Sequence, residues 1–319
     1  MTSRVGGGII YFLVIIMTLL LRITSTMGVF DLTGVDSGIG FSLIVQICCF
    51  GLLPLGGWLI IVGRCEKDVL KALPRTFGVV KCGIRGFLLT LSITLPLLLI
   101  TGFVSNVWNG ALSLMGYESG SSSASAQTVG ALLTEIAVSA VLPAVFEELT
   151  HRGLLFATYR DAGWRVVVVS ALLFALMHQY IVQTGYTFAL GLCLAAMTYY
   201  TGSVLPAVFV HFFNNFISVV SGYAELVPAF GVINTVRNWL YGSLVGIIVL
   251  CILTVCSVVL VVFVFKVMRG DAVREGRLPS ARFAPAAEGA IPLRRDVMLW
   301  LIVAMGVAAT LFSLVWGLL

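Results

Sequence analysis

Charge is what this chain has least of. Lys, Arg, Asp and Glu make up 10% of its 319 residues, against about 25% in soluble domains. Hydrophobic residues are 60% and mean hydropathy is +1.08. This excludes a soluble globular domain and leaves an integral membrane protein. Other absences narrow the choice. The seven cysteines (Cys48, Cys49, Cys65, Cys82, Cys193, Cys251, Cys256) form no Cys-x-x-Cys pair and fall in apolar runs or a basic loop. Neither setting is oxidising, so neither a disulfide framework nor a thiolate metal site is expected. No small-x-small cleavage site follows the first apolar run, which therefore reads as an uncleaved helix and not as a signal peptide. No repeat of 20–50 residues suggests a solenoid.

What the chain has in quantity is apolar runs long enough to cross a bilayer. Nine are expected, at 5–21, 39–63, 84–107, 129–150, 166–182, 186–201, 203–221, 241–266 and 298–319. The fold class is all-α, a polytopic transmembrane helix bundle. With the N-terminus inside and the C-terminus outside, 17 of the 19 Lys and Arg fall on inside segments, and only Arg22 and Arg237 do not. That is the bias of the positive-inside rule. The net charge of +5 thus reports topology and contact with anionic lipid, not nucleic acid. The chain divides into three N-terminal spans with a basic inside loop (1–128), a helical core (129–221), and C-terminal helices with a basic tether (222–319). The polar run Glu118–Ser123 reads as flexible, and 270–296 as a tether lying on anionic headgroups.

The few polar residues inside the spans collect in 129–221. Glu147-Glu148-Leu149-Thr150-His151-Arg152 carries two adjacent carboxylates, and an intramembrane ionisable residue is a functional-site hypothesis by default. On a helix, Glu148 and Arg152 share a face, as do Glu147 and His151, while Glu147 points about 100° away from Glu148. One carboxylate can be held by the guanidinium while its neighbour stays free. Phe174…His178 and His211…Asn215 each place two residues one turn apart on one face. At about 1.5 Å per residue, Glu147, His178 and His211 fall in the middle of a hydrocarbon core about 30 Å thick. Pro143 can bend the helix one turn before Glu147 and open a water-filled notch. The plainer alternatives are an ion pair at a helix end and histidines that only satisfy local packing. Glu135 is expected to be structural.

These three motifs, in this order, resemble the CPBP intramembrane proteases, which include CAAX prenyl endopeptidases and bacteriocin-processing enzymes. The resemblance rests on Glu147-Glu148…Arg152, Phe174…His178 and His211…Asn215, with similar flanks at Arg152–Leu155 and Ser170–Leu176, and covers 129–221. His151 departs from the pattern, where relatives often have an aromatic. The resemblance implies a glutamate-type intramembrane endopeptidase. In it, Glu147 is the base that activates water and His178 helps to hold and polarise that water. His211 and Asn215 donate to the oxyanion, with His211 neutral, and Glu148 and Arg152 form a structural brace.

No metal is required by that mechanism. Glu147, His178 and His211 nevertheless have the ligand count of a catalytic zinc site, although no His-Glu-x-x-His helix is present. The same groups would also serve a proton or ion relay in a transporter, although no inverted repeat is detectable. A non-catalytic immunity or signalling protein that kept the motifs is a third class. The expected setting is a multi-pass protein of the cell membrane, with lipids and a membrane-associated peptide as partners. The site is expected to open towards the basic, inside face, and prenylated C-termini, bacteriocin leaders and signal-peptide remnants all remain open as substrates.

Overall fold

The computed structural model describes residues 4–28, 38–61, 68–118, 127–280 and 286–318. Eleven α-helical elements position the site. They are α1 (Arg4–Thr26), α2 (Ile39–Ile61), α3 (Val69–Thr76), α4 (Ile84–Leu114), α5 (Val129–Ala162), α6 (Arg165–Met177), α7 (Ile181–Thr201), α8 (Leu205–Ser221), α9 (Gly231–Gly242), α10 (Leu244–Arg274) and α11 (Val297–Trp316). No strand occurs among the described residues. The runs Arg64–Lys67 and Ser119–Ser123, the tether residue Arg282, and the end of the expected span 39–63 lie outside them.

Seven of these helices (α1, α2, α4, α5, α7, α10 and α11) are long and apolar enough to cross a membrane. The other two expected spans are short. α6 has 13 residues, about 20 Å at 1.5 Å per residue, and α8 has 17, where a full span needs about 20. The expected span 166–182 therefore ends early. The chain turns at His178–Tyr180, where Gln179 takes the left-handed φ of 51°, unusual for a side chain with a Cβ. Its amide holds it there by donating to the Ile15 carbonyl at 3.0 Å. The expected span 241–266 is also redrawn, because Ser243 separates α9 from α10 and caps the latter by accepting from the Gly246 N–H.

Caps and close approaches fix the other boundaries. Thr128 caps α5 through the Ala131 N–H, Asp296 caps α11 through the Leu299 N–H, and Gly202 ends α7 in the left-handed region, which glycine enters without strain. Gly153 has a different reason. A Cβ there would stand 2.8 Å from the Phe77 Cα, so only glycine lets the 77–80 segment cross α5.

Hydrogen bonds define two ends of the bundle. At one, Arg4 bonds Asp161 at 2.8 Å and the Ile291 carbonyl, Ser203 bonds the Val80 carbonyl, and Arg85 pairs with Asp271. This is the basic end. At the far end, Trp108 bonds the Ile181 carbonyl, Gln127 bonds the Gly222 carbonyl, and the Glu118 N–H bonds the Gly317 carbonyl. The described parts of 270–296 do not hang loose as a tether. The Ala287 N–H donates to the Asp161 carbonyl, and Arg4 holds Ile291 and Asp296, so this segment is bonded to the core.

Candidate active site

Helix α5 departs from regular α geometry around its carboxylates. It has π-helical turns at Ile136–Val141 and Leu149–Leu154, and α2 has one at Val45–Leu52. Such turns are common at functional sites. Between the two on α5, Pro143 and Glu147 face a cavity of about 350 Å³. The cavity brings together Glu147, His178, His211 and Asn215, with Arg22, Gln46 and Tyr186 also in its wall. His151 and Glu135 do not line it.

The two carboxylates have separate partners. Glu148 is fully buried, and its Oε1 accepts from Arg152 Nη1 at 2.8 Å and from His211 Nδ1 at 2.9 Å. The Arg152 guanidinium also donates to the Gly191 carbonyl at 3.0 Å and lies 4.4 Å above the Phe174 ring. Glu147 faces the other way and accepts from Gln46 Nε2 at 2.6 Å. The face separation expected of adjacent residues thus takes a definite form, with Glu148 turned into the protein and Glu147 into the cavity. His151 shares a face with Glu147 but bonds only its backbone carbonyl, at 2.7 Å, among the rings of Tyr11, Phe50 and Phe174.

Hydrogen bonding also sets which ring nitrogen faces the cavity. A carbonyl can only accept, so His178 Nδ1, 2.8 Å from the Phe174 carbonyl, carries a proton, and the neutral ring presents a lone pair at Nε2. His211 gives its Nδ1 proton to Glu148. With that proton on Nδ1, a neutral His211 ring has a lone pair and no proton at Nε2. Donation requires the doubly protonated ring, and the Glu148 carboxylate is placed as the counter-ion of that form. Phe174 packs against all three rings, with centroids 5.0 Å from His151, 5.0 Å from His178 and 5.6 Å from His211.

Asn215 receives support that the sequence did not point to. Thr101 Oγ1 bonds Asn214 Oδ1 at 3.4 Å, and Asn214 Nδ2 donates to Asn215 Oδ1 at 3.2 Å. That bond engages the Asn215 oxygen and leaves its N–H₂ group without a partner in this chain of contacts.

Residues 129–217 match the family model described as type II CAAX prenyl endopeptidase Rce1-like. This helical core is similar to the CAAX proteases over that segment. No curated protein and no solved structure matches the chain. The CAAX-type core contains Glu147, Glu148, Arg152, Phe174, His178, His211 and Asn215, but it does not complete the cavity. Thr18 and Arg22 from α1, and Phe41, Ser42 and Gln46 from α2, form a wall outside the matched segment. Gln46 had only a weak signal, one carboxamide in an apolar run. Asn214 was visible beside its motif without an assigned role.

The cavity extends towards the far end of the bundle. Several of its wall residues come from the far half of their helices, with Arg22 late in α1, Ser42 early in α2, His178 at the end of α6, Gln183 early in α7 and Ser218 late in α8, while Glu147 and His211 lie nearer the basic end. Towards the basic end it is closed by Phe174 and by the buried Glu148, His151 and Arg152. Among the described residues, no three His, Cys, Asp or Glu side chains form a group able to hold a metal ion.

Proposed function

We propose that this membrane-embedded CAAX-type endopeptidase is of the glutamic, metal-free kind, with Glu147 as its base. The observation that carries this reading is the single cavity shared by Glu147, His178, His211 and Asn215, with Glu148 withdrawn from it by Arg152 and His211. Glu147 takes one proton from a water whose other O–H donates to His178 Nε2, and the hydroxide oxygen adds to the peptide carbonyl carbon. Asn215 N–H and the doubly protonated His211 stabilise the resulting oxyanion. When the tetrahedral species collapses, the C–N bond breaks and Glu147 returns its proton to the leaving amine. Gln46 fixes the rotamer of Glu147, and Arg152 and Glu148 hold the ring of His211.

This assignment moves Glu148 from a brace for Arg152 alone to a partner of both Arg152 and His211. The orientation we infer places the basic end in the cytoplasm of a cell membrane, in line with the positive-inside bias, so peptides reach the site from the far, outer side. Lipid and a membrane-associated peptide are then its partners, and the C-terminal helices and the 1–128 unit serve as walls and scaffold around the 129–221 core.

The test pairs Glu147→Gln with wild type in comparative peptidomics of membranes and in turnover of quenched fluorogenic peptides. Loss of cleavage with unchanged membrane yield is expected, and wild-type turnover in Glu147→Gln would remove the base assignment. Preincubation with a membrane-permeant chelator, followed by metal analysis of the purified protein, is expected to leave activity intact, and chelator-sensitive activity restored by zinc would favour a metalloprotease. A phenotype that survives Glu147→Gln would indicate an immunity or scaffold role.

A further inference from the structure

A second groove lies at the basic end of the bundle, between the first turns of α4 and α8, and shares no wall residue with the site cavity. Its volume is about 630 Å³, and its walls include Phe87 from α4 and Leu205, Phe209 and Phe212 from α8. The Phe87 and Phe209 rings meet edge to face, with centroids 5.3 Å apart. Lys81 and Cys82 stand where the chain enters α4, and among the described residues they are the only wall members that are not apolar. Ile84, Phe87 and Leu205 are all exposed, so the groove opens sideways to the bilayer.

The backbone that carries Lys81 is fixed. The Val204 N–H donates to the Gly78 carbonyl at 2.9 Å, and Ser203 Oγ donates to the Val80 carbonyl at 2.6 Å. These two bonds pin the 78–80 segment to the start of α8. The other cations nearby are matched by acids, Arg85 and Arg274 by Asp271 and Arg277 by Glu275. Among the described residues no ion pair includes Lys81. Both α4 and α8 begin at this mouth, α4 behind Gly83, which has no side chain to cap it, so their N-terminal ends add to the positive field of the lysine.

A cation at the mouth of an aromatic and aliphatic groove has the polarity of a lipid with an anionic head. From Leu205 to Phe212 the groove runs about 10 Å along α8, at 1.5 Å per residue. That stays within one half of a hydrocarbon core about 30 Å thick. A partner's transmembrane helix needs a face along the whole thickness, whereas an acyl chain occupies one leaflet. We propose that this groove binds an anionic phospholipid of the leaflet at the basic end, with its phosphate on Lys81 and an acyl chain against Phe87, Phe209 and Phe212. A lipid seated there touches both α4 and α8 and holds them together. The inference is independent of the peptidase reading, since its test involves no cleavage.

The experiment titrates the full-length protein in mild detergent with phosphatidylglycerol or with phosphatidylcholine of the same acyl chains. Native mass spectrometry reads bound lipid, and the melting temperature reads its effect on the bundle. Wild type is expected to bind phosphatidylglycerol saturably and about fivefold more tightly than phosphatidylcholine, the factor that one lysine near a membrane surface allows. Lys81→Gln should remove this factor. Lys71→Gln should keep it, because Lys71 is a basic-end lysine already paired with Asp68. Val208→Trp should fill the groove and weaken both lipids, and Ile84→Trp blocks the exposed mouth if Val208→Trp folds poorly. Equal affinity for the two headgroups in wild type overturns the proposal. So does a preference that survives Lys81→Gln or is lost equally in Lys71→Gln, as general attraction to a basic surface would give. Lipid binding that neither tryptophan variant weakens also overturns it, and a tryptophan variant that changes only the oligomeric state assigns the groove to a second copy instead.

Discussion

Removing either charge of the Glu148–Arg152 pair should damage the protein more than removing both. The pair is fully buried at 2.8 Å, with 0% side-chain exposure on each partner. Arg152→Met keeps the aliphatic stem over Phe174 but leaves Glu148 with His211 as its only charged or polar donor. Breaking a buried pair on one side costs about 3–5 kcal/mol, whereas replacing both members by groups of similar volume is often neutral or stabilising by about 1–4 kcal/mol. Glu148→Gln alone carries the converse penalty, since it leaves the guanidinium with the Gly191 carbonyl and the Phe174 face. Against a total stability of about 5–15 kcal/mol, either single change should lower the folded yield sharply. The double variant Glu148→Gln/Arg152→Met should recover much of it, giving a coupling energy of several kcal/mol. Thermal melting in detergent and monodispersity on size exclusion provide the readout, with Glu147→Gln as a control that should melt like wild type. The double variant should still turn over poorly, because His211 loses its counter-ion. If both single variants melt within about 1 kcal/mol of wild type, the pair is not desolvated as described. If Glu147→Gln unfolds the protein while Glu148→Gln only silences it, base and brace have been assigned the wrong way round.

Gln46→Ala should lower kcat/KM by about 10- to 100-fold without changing the melting temperature greatly, since a hydrogen bond to a charged group is worth about 1.5–3 kcal/mol; wild-type turnover would show that Gln46 does not position Glu147. Asn215→Ala should cost about 10²–10³ in kcat, and Asn214→Ala, which acts one bond further out, about 2- to 10-fold; equal losses would argue that the two share one role. A reporter fused after Leu319 should be outside and one inserted near Ser280 inside, and the reverse at either site would mean that a crossing was miscounted, with the short helices α6 and α8 the first to revisit.

Composition and periodicity were enough to establish a helical membrane protein, and three motifs in order were enough to point to a CAAX-type core. These properties are local. A low share of charge excludes a soluble surface, 20-residue apolar runs must satisfy their backbone within one segment, and Glu148 and Arg152 meet because they are one turn apart on the same helix. The sequence was less reliable where a length had to be divided. The stretch 166–182 looks like one span, but Gln179 bends the chain through a bond to Ile15, 164 residues away. The π-helical turns have no mark in a 3.6-residue pattern.

Only the tertiary structure decided how the polar groups are partnered. Gln46 reaches Glu147 across 101 positions, and His211 reaches Glu148 across 63. No periodicity within one helix encodes a contact between two. The second of these contacts sets which ring nitrogen of His211 meets the Glu148 carboxylate and which is left for the cavity. The direction of the cavity was hidden for the same reason. The position of Glu147 along α5 suggests the basic end, but the wall also takes Arg22, Ser42, His178, Gln183 and Ser218 from the far parts of five other helices.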